Sequence, residues 1–523
     1  MAEAIYDVGS MWELVERRAL ASPDRLMLVD EADRQVTFGE FRDRALRVAA
    51  GLLEAGIGPG TVVTWQLPTR IETILVSMAL ARLGAVQNPI IHIYREREVG
   101  FALGQMASEF YLCPGTWKDF DFAAMGRTLG ADLDRPPTVL VTYDDLPEGD
   151  PAGLPPAPAE GDQVRWVYYT SGTTSDPKGV RHSDRTLVVG GRGLAIALDM
   201  SPEDVGSMAF PFAHIAGPDY LVMVLALGFP AVLLESFVPD QAVEVLRRHG
   251  ATMAGGSTAF YQAYLGVQRK TPGERIIPSL RLLSGGGAPM PPEVFGEVAR
   301  EIGVRIAHGY GMTEIPMIAM GSPTDDDEQL ANTVGKPVDG TDLRIVGLDG
   351  SPAPAGMDGE VRVRGEMVCK GYTDSALTAD ATDAEGYFRT GDVGHLRSDG
   401  HLVLTGRLKD IIIRKGENIS AKEIEDLLYT HPKVADVAVI GLPDRERGER
   451  VCAVVETAAG AQPLDFAEMV AHLKGAGLMT QKVPEQLEVV EALPRNNTLN
   501  KVLKQKLRDD YAARPWPAGE QAN

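Results

Sequence analysis

From Thr37 to Gly56 the chain reads TFGEFRDRALRVAAGLLEAG, and its apolar positions Phe38, Phe41, Ala45, Val48 and Leu52 return every three or four residues. That period puts them on one face of an α-helix, and Gly56 supplies a stop. TVVTWQL then reads as a strand, and IETILVSMALARLGA as a second helix ending at Gly84. Strands alternating with helices predict a parallel sheet with helices on its faces, so the fold class is α/β. The opening MAEAIYDVGSMWELVERRAL has an amphipathic helical pattern, not a basic segment followed by an apolar one, so no secretory signal is expected.

The Pro/Gly-rich stretch LPEGDPAGLPPAPAEGD (146–162) predicts an exposed linker, and QVRWVYYT after it a strand. Later, HLVLTGRLKDIIIRKGENIS holds two strand-like runs separated by a polar turn. AKEIEDLLYTHP then reads as a helix, DVAVIGLPD and VCAVVET as strands, and DFAEMVAHLKGAG as a helix. This is an α+β pattern of ordinary domain size. We place its boundary at Leu408 to Asp410, giving domains 1–408 and 409–523. The tail RPWPAGEQAN predicts disorder, and no internal repeat is visible.

The chain has 523 residues, more than one core usually accommodates, so at least two domains are expected. No apolar run approaches ~18 residues, which argues against a membrane-spanning helix. Cys113, Cys369 and Cys452 are far apart and lack metal-ligand spacing, so neither a disulfide framework nor a zinc site is expected. A cytoplasmic, soluble protein is the expectation. The net charge of −22 disfavours nucleic acid and anionic membranes as partners. It leaves room for a small polyanion, because a few amides, a lysine and a metal ion can hold phosphates locally.

TSGTTSDPKGV (170–180) is where such a polyanion would bind. A strand runs into a Gly/Ser/Thr loop, whose N–H groups and hydroxyls suit phosphate oxygens. Lys178 is followed by glycine, which rules out the Walker pattern. Taken alone the loop is equally readable as a polar surface turn. GYGMTE (309–314), YFRTGDVGHLRSDGHLVLTGRLKD (387–410) and KGENIS (415–420) follow it in order.

These motifs together resemble the adenylate-forming superfamily, which groups acyl-CoA synthetases, adenylation domains of non-ribosomal peptide synthetases and luciferases. The resemblance covers nearly the whole chain and is closest in type to the acyl-CoA ligases. It implies a large multi-subdomain N-terminal domain and a small mobile α+β C-terminal domain, with the active site between them. It further implies ATP, Mg²⁺ and coenzyme A.

By that resemblance Thr170, Ser171, Gly172, Thr173, Thr174 and Lys178 surround the β- and γ-phosphates, with Ser175 replacing the usual glycine. Thr313 contacts the α-phosphate, Glu314 is the magnesium carboxylate, and Tyr310 stacks on adenine. Asp392 holds the ribose hydroxyls with help from Arg407. His214 stands beside the acyl tunnel, and Gly285, Gly286, Gly287 and Gly309 belong to the acyl site. Three consecutive glycines suggest room for a bulky alicyclic acid, although a glycine run also makes a plain turn. Lys409 is the hinge, and Lys415 and Gly416 line the CoA tunnel.

The family's C-terminal motif, Pro-Arg-x-x-x-Gly-Lys, corresponds to PRNNTLNK here. Lys501 is the matching lysine, one residue further from Pro494, with Asn500 in place of the glycine. The implied activity is conversion of an alicyclic, aromatic or medium-chain acid to its acyl-CoA through an acyl-AMP. Three alternatives stay open: weakened adenylation with thioester formation retained, transfer to a carrier-protein phosphopantetheine, and a non-catalytic binding paralogue. A homo-oligomer is also left open.

Overall fold

The computed structural model describes residues 4–170, 177–347, 349–415, 417–495 and 502–512. The first predicted helix is α1 (Phe38–Glu54), and Thr37 caps it. Glu40 N–H donates to Thr37 Oγ1 at 3.2 Å and Thr37 N–H donates to Glu40 Oε2 at 2.9 Å, so each residue satisfies an orphan amide of the other. β1 (Val62–Trp65) follows, then α2 (Ile71–Leu83), which is buried along its whole length and stops at Gly84, where φ is +71°. Glycine is required there because a left-handed residue ends the helix.

β2 (Val86–Pro89), β3 (Phe110–Cys113), β4 (Thr138–Val141), β5 (Val164–Thr170) and β6 (Lys178–Ser183) complete the first sheet. Its strand order is β6–β5–β2–β1–β3–β4. All neighbours are parallel except the β5–β6 hairpin at the edge. The expected α/β architecture is therefore present, and its antiparallel edge pair, β5 and β6, flanks the phosphate-loop motif in sequence.

The stretch 146–162 is not a free linker. Gly149 N–H donates to the Arg47 carbonyl of α1 at 2.9 Å, and Arg82 Nη2 of α2 donates to the Pro155 carbonyl at 2.8 Å. A Cβ on Gly51 would lie 2.4 Å from the Pro147 carbonyl carbon, so the small residue on α1 is what admits this segment. Leu146, Leu154 and Ala157 pack on the core. Pro and Gly mark irregular backbone, but these interspersed apolar residues decide that it lies against the body.

α3 (Asp184–Ala197) and α4 (Ala216–Leu227) pack against each other. A second sheet holds β7 (Met253–Gly256), β8 (Leu282–Gly285) and β9 (Arg305–Met312) in parallel, with β10 (Ile315–Met320) turned back antiparallel onto β9. In a third, antiparallel sheet, β11 (Phe388–Leu396) pairs with β12 (Leu402–Arg407).

A 3₁₀ turn, Leu408–Asp410, leads into β13 (Ile411–Arg414) and β14 (Glu417–Ser420), which form a hairpin. KGENIS thus contributes a strand that its polarity did not announce. α5 (Ala421–Tyr429), β15 (Val434–Asp444), β16 (Gly448–Thr457), α6 (Phe466–Gly475), β17 (Gln486–Val490) and α7 (Lys504–Ala512) follow. Val437 and Val439 belong to one core of this small domain, while Ala438, Ile440 and Leu442 belong to another with Leu507 and Tyr511 of α7. Burial on both faces explains why β15 reads as a continuous apolar run. No described helix is long and apolar enough to cross a membrane. The predicted disordered tail lies outside the described residues.

Candidate active site

Thr170 and Lys178 are cross-strand partners at the open end of the β5–β6 hairpin. Ser171, Gly172, Thr173, Thr174 and Ser175, which come between them in sequence, lie outside the described residues. Lys178 Nζ sits 5.5 Å from the centroid of the Tyr372 ring. A strap, residues 369–373, runs alongside β6. Lys370 N–H donates to Arg181 O (2.7 Å), Arg181 N–H to Gly371 O (2.9 Å) and Thr373 N–H to Gly179 O (2.8 Å). A Cβ on Gly179 would meet Thr373 Cγ2 at 2.8 Å, so glycine after the lysine is what lets the strap lie this close.

The same strap holds the β9–β10 turn. Cys369 N–H donates to the Glu314 carbonyl at 2.9 Å, and the Tyr372 hydroxyl donates to Glu314 Oε1 at 2.7 Å. Glu314 is 6% exposed. Burial raises its pKa; the Tyr372 hydrogen bond and the charge of Lys178 oppose that rise, while Asp392 adds to it. Thr313, beside it, is positioned through its carbonyl, which accepts from His182 Nε2 at 2.8 Å. His182 Nδ1 lies 2.9 Å from Thr186 Oγ1 of α3. Burial pushes His182 down to about 4, so the imidazole is neutral at ordinary pH and carries its proton on Nε2, facing that carbonyl.

Asp392 on β11 and Arg407 on β12 are direct cross-strand partners and form an ion pair, with Arg407 Nε 2.9 Å from Asp392 Oδ1. The Tyr310 hydroxyl donates to Asp392 Oδ2 at 2.6 Å. Asp392 is only 7% exposed, yet it retains acceptor capacity beyond these two bonds. The hydroxyl of Tyr310 is committed to Asp392, which fixes the plane of its ring.

His214 and Thr313 line one small cleft with Tyr168, Tyr169 and Ile215. His214 Nδ1 accepts from Ala216 N–H at 3.3 Å, and burial lowers its pKa to about 4. The glycines expected at the acyl site are mostly packed against backbone and side chains. A Cβ on Gly285 would lie 2.4 Å from Gly256 O, one on Gly286 2.7 Å from Gly309 O, and one on Gly309 2.4 Å from Met320 Sδ. Gly285, Gly286 and Gly309 are therefore needed for strand spacing and packing, and they leave no cavity. Of the four, only Gly287, with φ +79°, faces open space. The glycine run thus lends no support to a bulky alicyclic acid.

Lys415, with φ +51°, is exposed, and its N–H donates to the Arg447 carbonyl at 2.7 Å within the small domain. Gly416, Asn500 and Lys501 lie outside the described residues. Lys409 is exposed in the 3₁₀ turn between β12 and β13, and Arg508 of α7 donates to its carbonyl (3.4 Å) and to Asp410 Oδ1 (3.0 Å). Three residues escaped the sequence reading: Tyr372, His182 and His308, whose Nε2 faces the Ala288 carbonyl at 2.8 Å. KGYTDS looks like any polar turn, and neither histidine has a local pattern that separates it from an ordinary core histidine.

Among the described residues no group of three or more His, Cys, Asp or Glu is placed to hold a metal. A lone buried carboxylate such as Glu314 fits magnesium, which takes one or two carboxylates and completes its shell with phosphate oxygens and water.

The AMP-binding enzyme model matches residues 15–373, and the model of the AMP-binding enzyme C-terminal domain matches residues 423–499. The chain is 30% identical over 527 residues to the medium-chain fatty-acid–CoA ligase of Escherichia coli, covering 98% of this chain and 92% of that protein. It is 32% identical over 492 residues to a salicyl-AMP ligase / salicyl-S-ArCP synthetase of Mycobacterium tuberculosis, covering 90% and 86%. Among solved structures, O-succinylbenzoate coenzyme A synthetase from Bacillus subtilis in complex with ATP and magnesium ion superposes with a TM-score of 0.82 at 27% identity, covering 95% of this chain and 99% of that one.

Proposed function

The chain belongs to the AMP-binding enzyme family, and from that premise we propose that it joins a carboxylic acid to coenzyme A through an acyl-AMP, releasing pyrophosphate. The observation that carries this reading is the strap of residues 369–373. It ties Lys178, beside the phosphate-loop turn, to Glu314, whose titration also responds to the ribose-site candidate Asp392. Lysine, carboxylate and ribose acceptor thus share one electrostatic neighbourhood, as binding of a nucleoside triphosphate requires.

In this reading Asp392 and Arg407 orient the ribose, and Tyr310, fixed by Asp392, offers its ring to adenine. Thr170, Thr173 and Thr174 with Lys178 hold the β- and γ-phosphates, so negative charge moving onto the leaving pyrophosphate is met by hydroxyl and ammonium donors. Glu314 is the residue that would hold magnesium, which when bound offsets phosphate charge. Thr313, kept in place by the neutral His182, stands between the α-phosphate and the acid in the His214 cleft. Making a mixed anhydride replaces hydroxide, a poor leaving group, with AMP. The thiol then attacks the acyl carbon and AMP departs.

For the small domain we propose rotation about Lys409 between the two half-reactions, bringing Lys415 and Gly416 to the thiol tunnel. The acid is proposed to be medium-chain or aromatic, consistent with the relatives' names. A panel of such acids, with pyrophosphate, AMP and acyl-CoA monitored separately, tests the reading. Pyrophosphate release that depends on the acid supports it, and none with any acid contradicts it.

One sequence feature favours a second reading. Counted from Pro494, Lys501 stands one residue beyond the lysine of the family motif, with Asn500 in place of its glycine, and we propose that this spacing weakens its reach in adenylation. A misplaced donor costs roughly 2.7–4 kcal/mol of transition-state stabilisation, or 10²–10³ in rate. Adenylation then becomes the slow step, with thioester formation from supplied acyl-AMP retained. A carrier-protein phosphopantetheine in place of CoA would show as product only with the holo-carrier.

A further inference from the structure

Asp219 is a carboxyl group without a hydrogen-bond partner among the described residues. It lies in the first turn of α4 and is 1% exposed, and neither Oδ1 nor Oδ2 meets a donor. Native interiors pair nearly all such groups, so an unpaired one points to a ligand or to trapped water. Burial pushes its pKa well above the usual carboxylate range, which agrees with the absence of a described cation beside it.

Its surroundings connect it to the acyl cleft. Gly217 N–H donates to the His214 carbonyl at 2.8 Å, so α4 begins at the cleft histidine and Asp219 follows in the same turn of chain. Tyr168, which lines the cleft with His214 and Thr313, has its phenol pKa raised first by burial and further by the charge of the nearby Asp219. On the other side stands Pro316, in the strand that leaves Glu314. A Cβ on Gly190 would lie 3.1 Å from both Asp219 Oδ1 and Pro316 Cβ. A Cβ on Gly191 would lie 2.7 Å from the Asp219 carbonyl. α3 therefore offers hydrogens instead of side chains along the face that meets Asp219, and nothing polar from it satisfies the carboxyl.

We infer that Asp219 determines which acid is used: the acyl tail that passes His214 and Tyr168 carries a hydrogen-bond donor, an ammonium or a hydroxyl, and Asp219 accepts from it. The inference rests on the reading of the His214 cleft as the acyl site. A tail ending in a methyl group leaves the carboxyl unpaired and is discriminated against for that reason. Sites built to hydrogen-bond a substrate group reject analogues that lack it far more strongly than apolar pockets reject an extra methylene.

The test uses the full chain and three sets of acids matched in length, with an apolar, a hydroxyl or an amino terminus. Their kcat/KM values for pyrophosphate release are compared in the wild type, Asp219→Asn and Asp219→Leu, with thermal unfolding of each. The expected result is a preference for a donor-bearing set by on the order of 10²-fold in the wild type. Asp219→Leu reverses that order. Asp219→Asn, similar in shape, separates the donors: it keeps a hydroxyl tail and loses an ammonium tail. The same ranking in wild type and Asp219→Leu, with a higher melting temperature for the latter, overturns the inference and leaves Asp219 with buried water only. Release with apolar acids alone removes this inference but not the ligase reading. No release with any acid removes both.

Discussion

Replacing Tyr372 with phenylalanine removes one hydroxyl and one hydrogen bond, the 2.7 Å bond to Glu314 Oε1. Because Glu314 is buried, solvent cannot replace that donor cheaply. A hydrogen bond to a charged acceptor contributes roughly 1.5–3 kcal/mol net. Losing a bond that favours the charged form pushes the Glu314 titration further above its already raised position. The sign is fixed by which form the bond favours. Tyr372 stabilises the carboxylate, so without it the carboxyl holds its proton to higher pH, and metal-bearing capacity is lost earlier as pH falls. The acid limb of the pH–rate profile for pyrophosphate release therefore moves to higher pH. Thioester formation from supplied acyl-AMP keeps its profile. Phenylalanine also retains the ring beneath Lys178, whereas Tyr372→Leu removes it and with it a cation–π contact of about 0.5–2 kcal/mol. The leucine variant should therefore lose more at every pH. An acid limb in Tyr372→Phe that coincides with the wild type would refute the role assigned to the strap.

Asp392→Ala is expected to raise the KM for ATP and to leave the buried Tyr310 hydroxyl without its acceptor, destabilising the fold by about 1–3 kcal/mol; ATP titration and a melting curve check both, and an unchanged ATP dependence rejects the ribose role. Lys409→Pro fixes φ near −65° and removes an N–H, so it should impair one half-reaction far more than the other; equal losses in acyl-AMP formation and in thioester formation count against domain alternation. Gly286→Ala is expected to cost about 1–3 kcal/mol by forcing a methyl group against the Gly309 carbonyl; if it instead leaves stability intact and narrows the range of acids, the glycine serves the pocket and not the strand spacing.

The local pattern was enough for α1, β1 and α2: α1 repeats one buried face, and α2 is a long apolar run that ends at a residue with a clear backbone signature, Gly84. It was not enough for 146–162, where Pro and Gly suggest exposure but contacts with Arg47 and Arg82 fix the segment on α1 and α2. Nor did it show β14, since KGENIS has no apolar alternation and becomes a strand by pairing with Ile411–Arg414. At the site, Asp392 and Arg407 were legible because they sit in a long motif, and the register of β11 with β12 explains why the two belong together. Tyr372 was not legible, because its partners Lys178 and Glu314 come from remote parts of the chain. The glycine run at 285–287 was legible as a feature but not in meaning: what a missing side chain makes room for depends on the neighbouring strand.

The proposed chemistry requires that the acid's own oxygen attack the α-phosphorus of ATP. A reactive acid labelled with ¹⁸O in its carboxylate, incubated with ATP, magnesium, CoA and the enzyme, tests this by mass spectrometry of the products. One labelled oxygen is expected in AMP, the other in the thioester carbonyl, and none in pyrophosphate. Label in inorganic phosphate or pyrophosphate, or AMP formed without label, contradicts that attack.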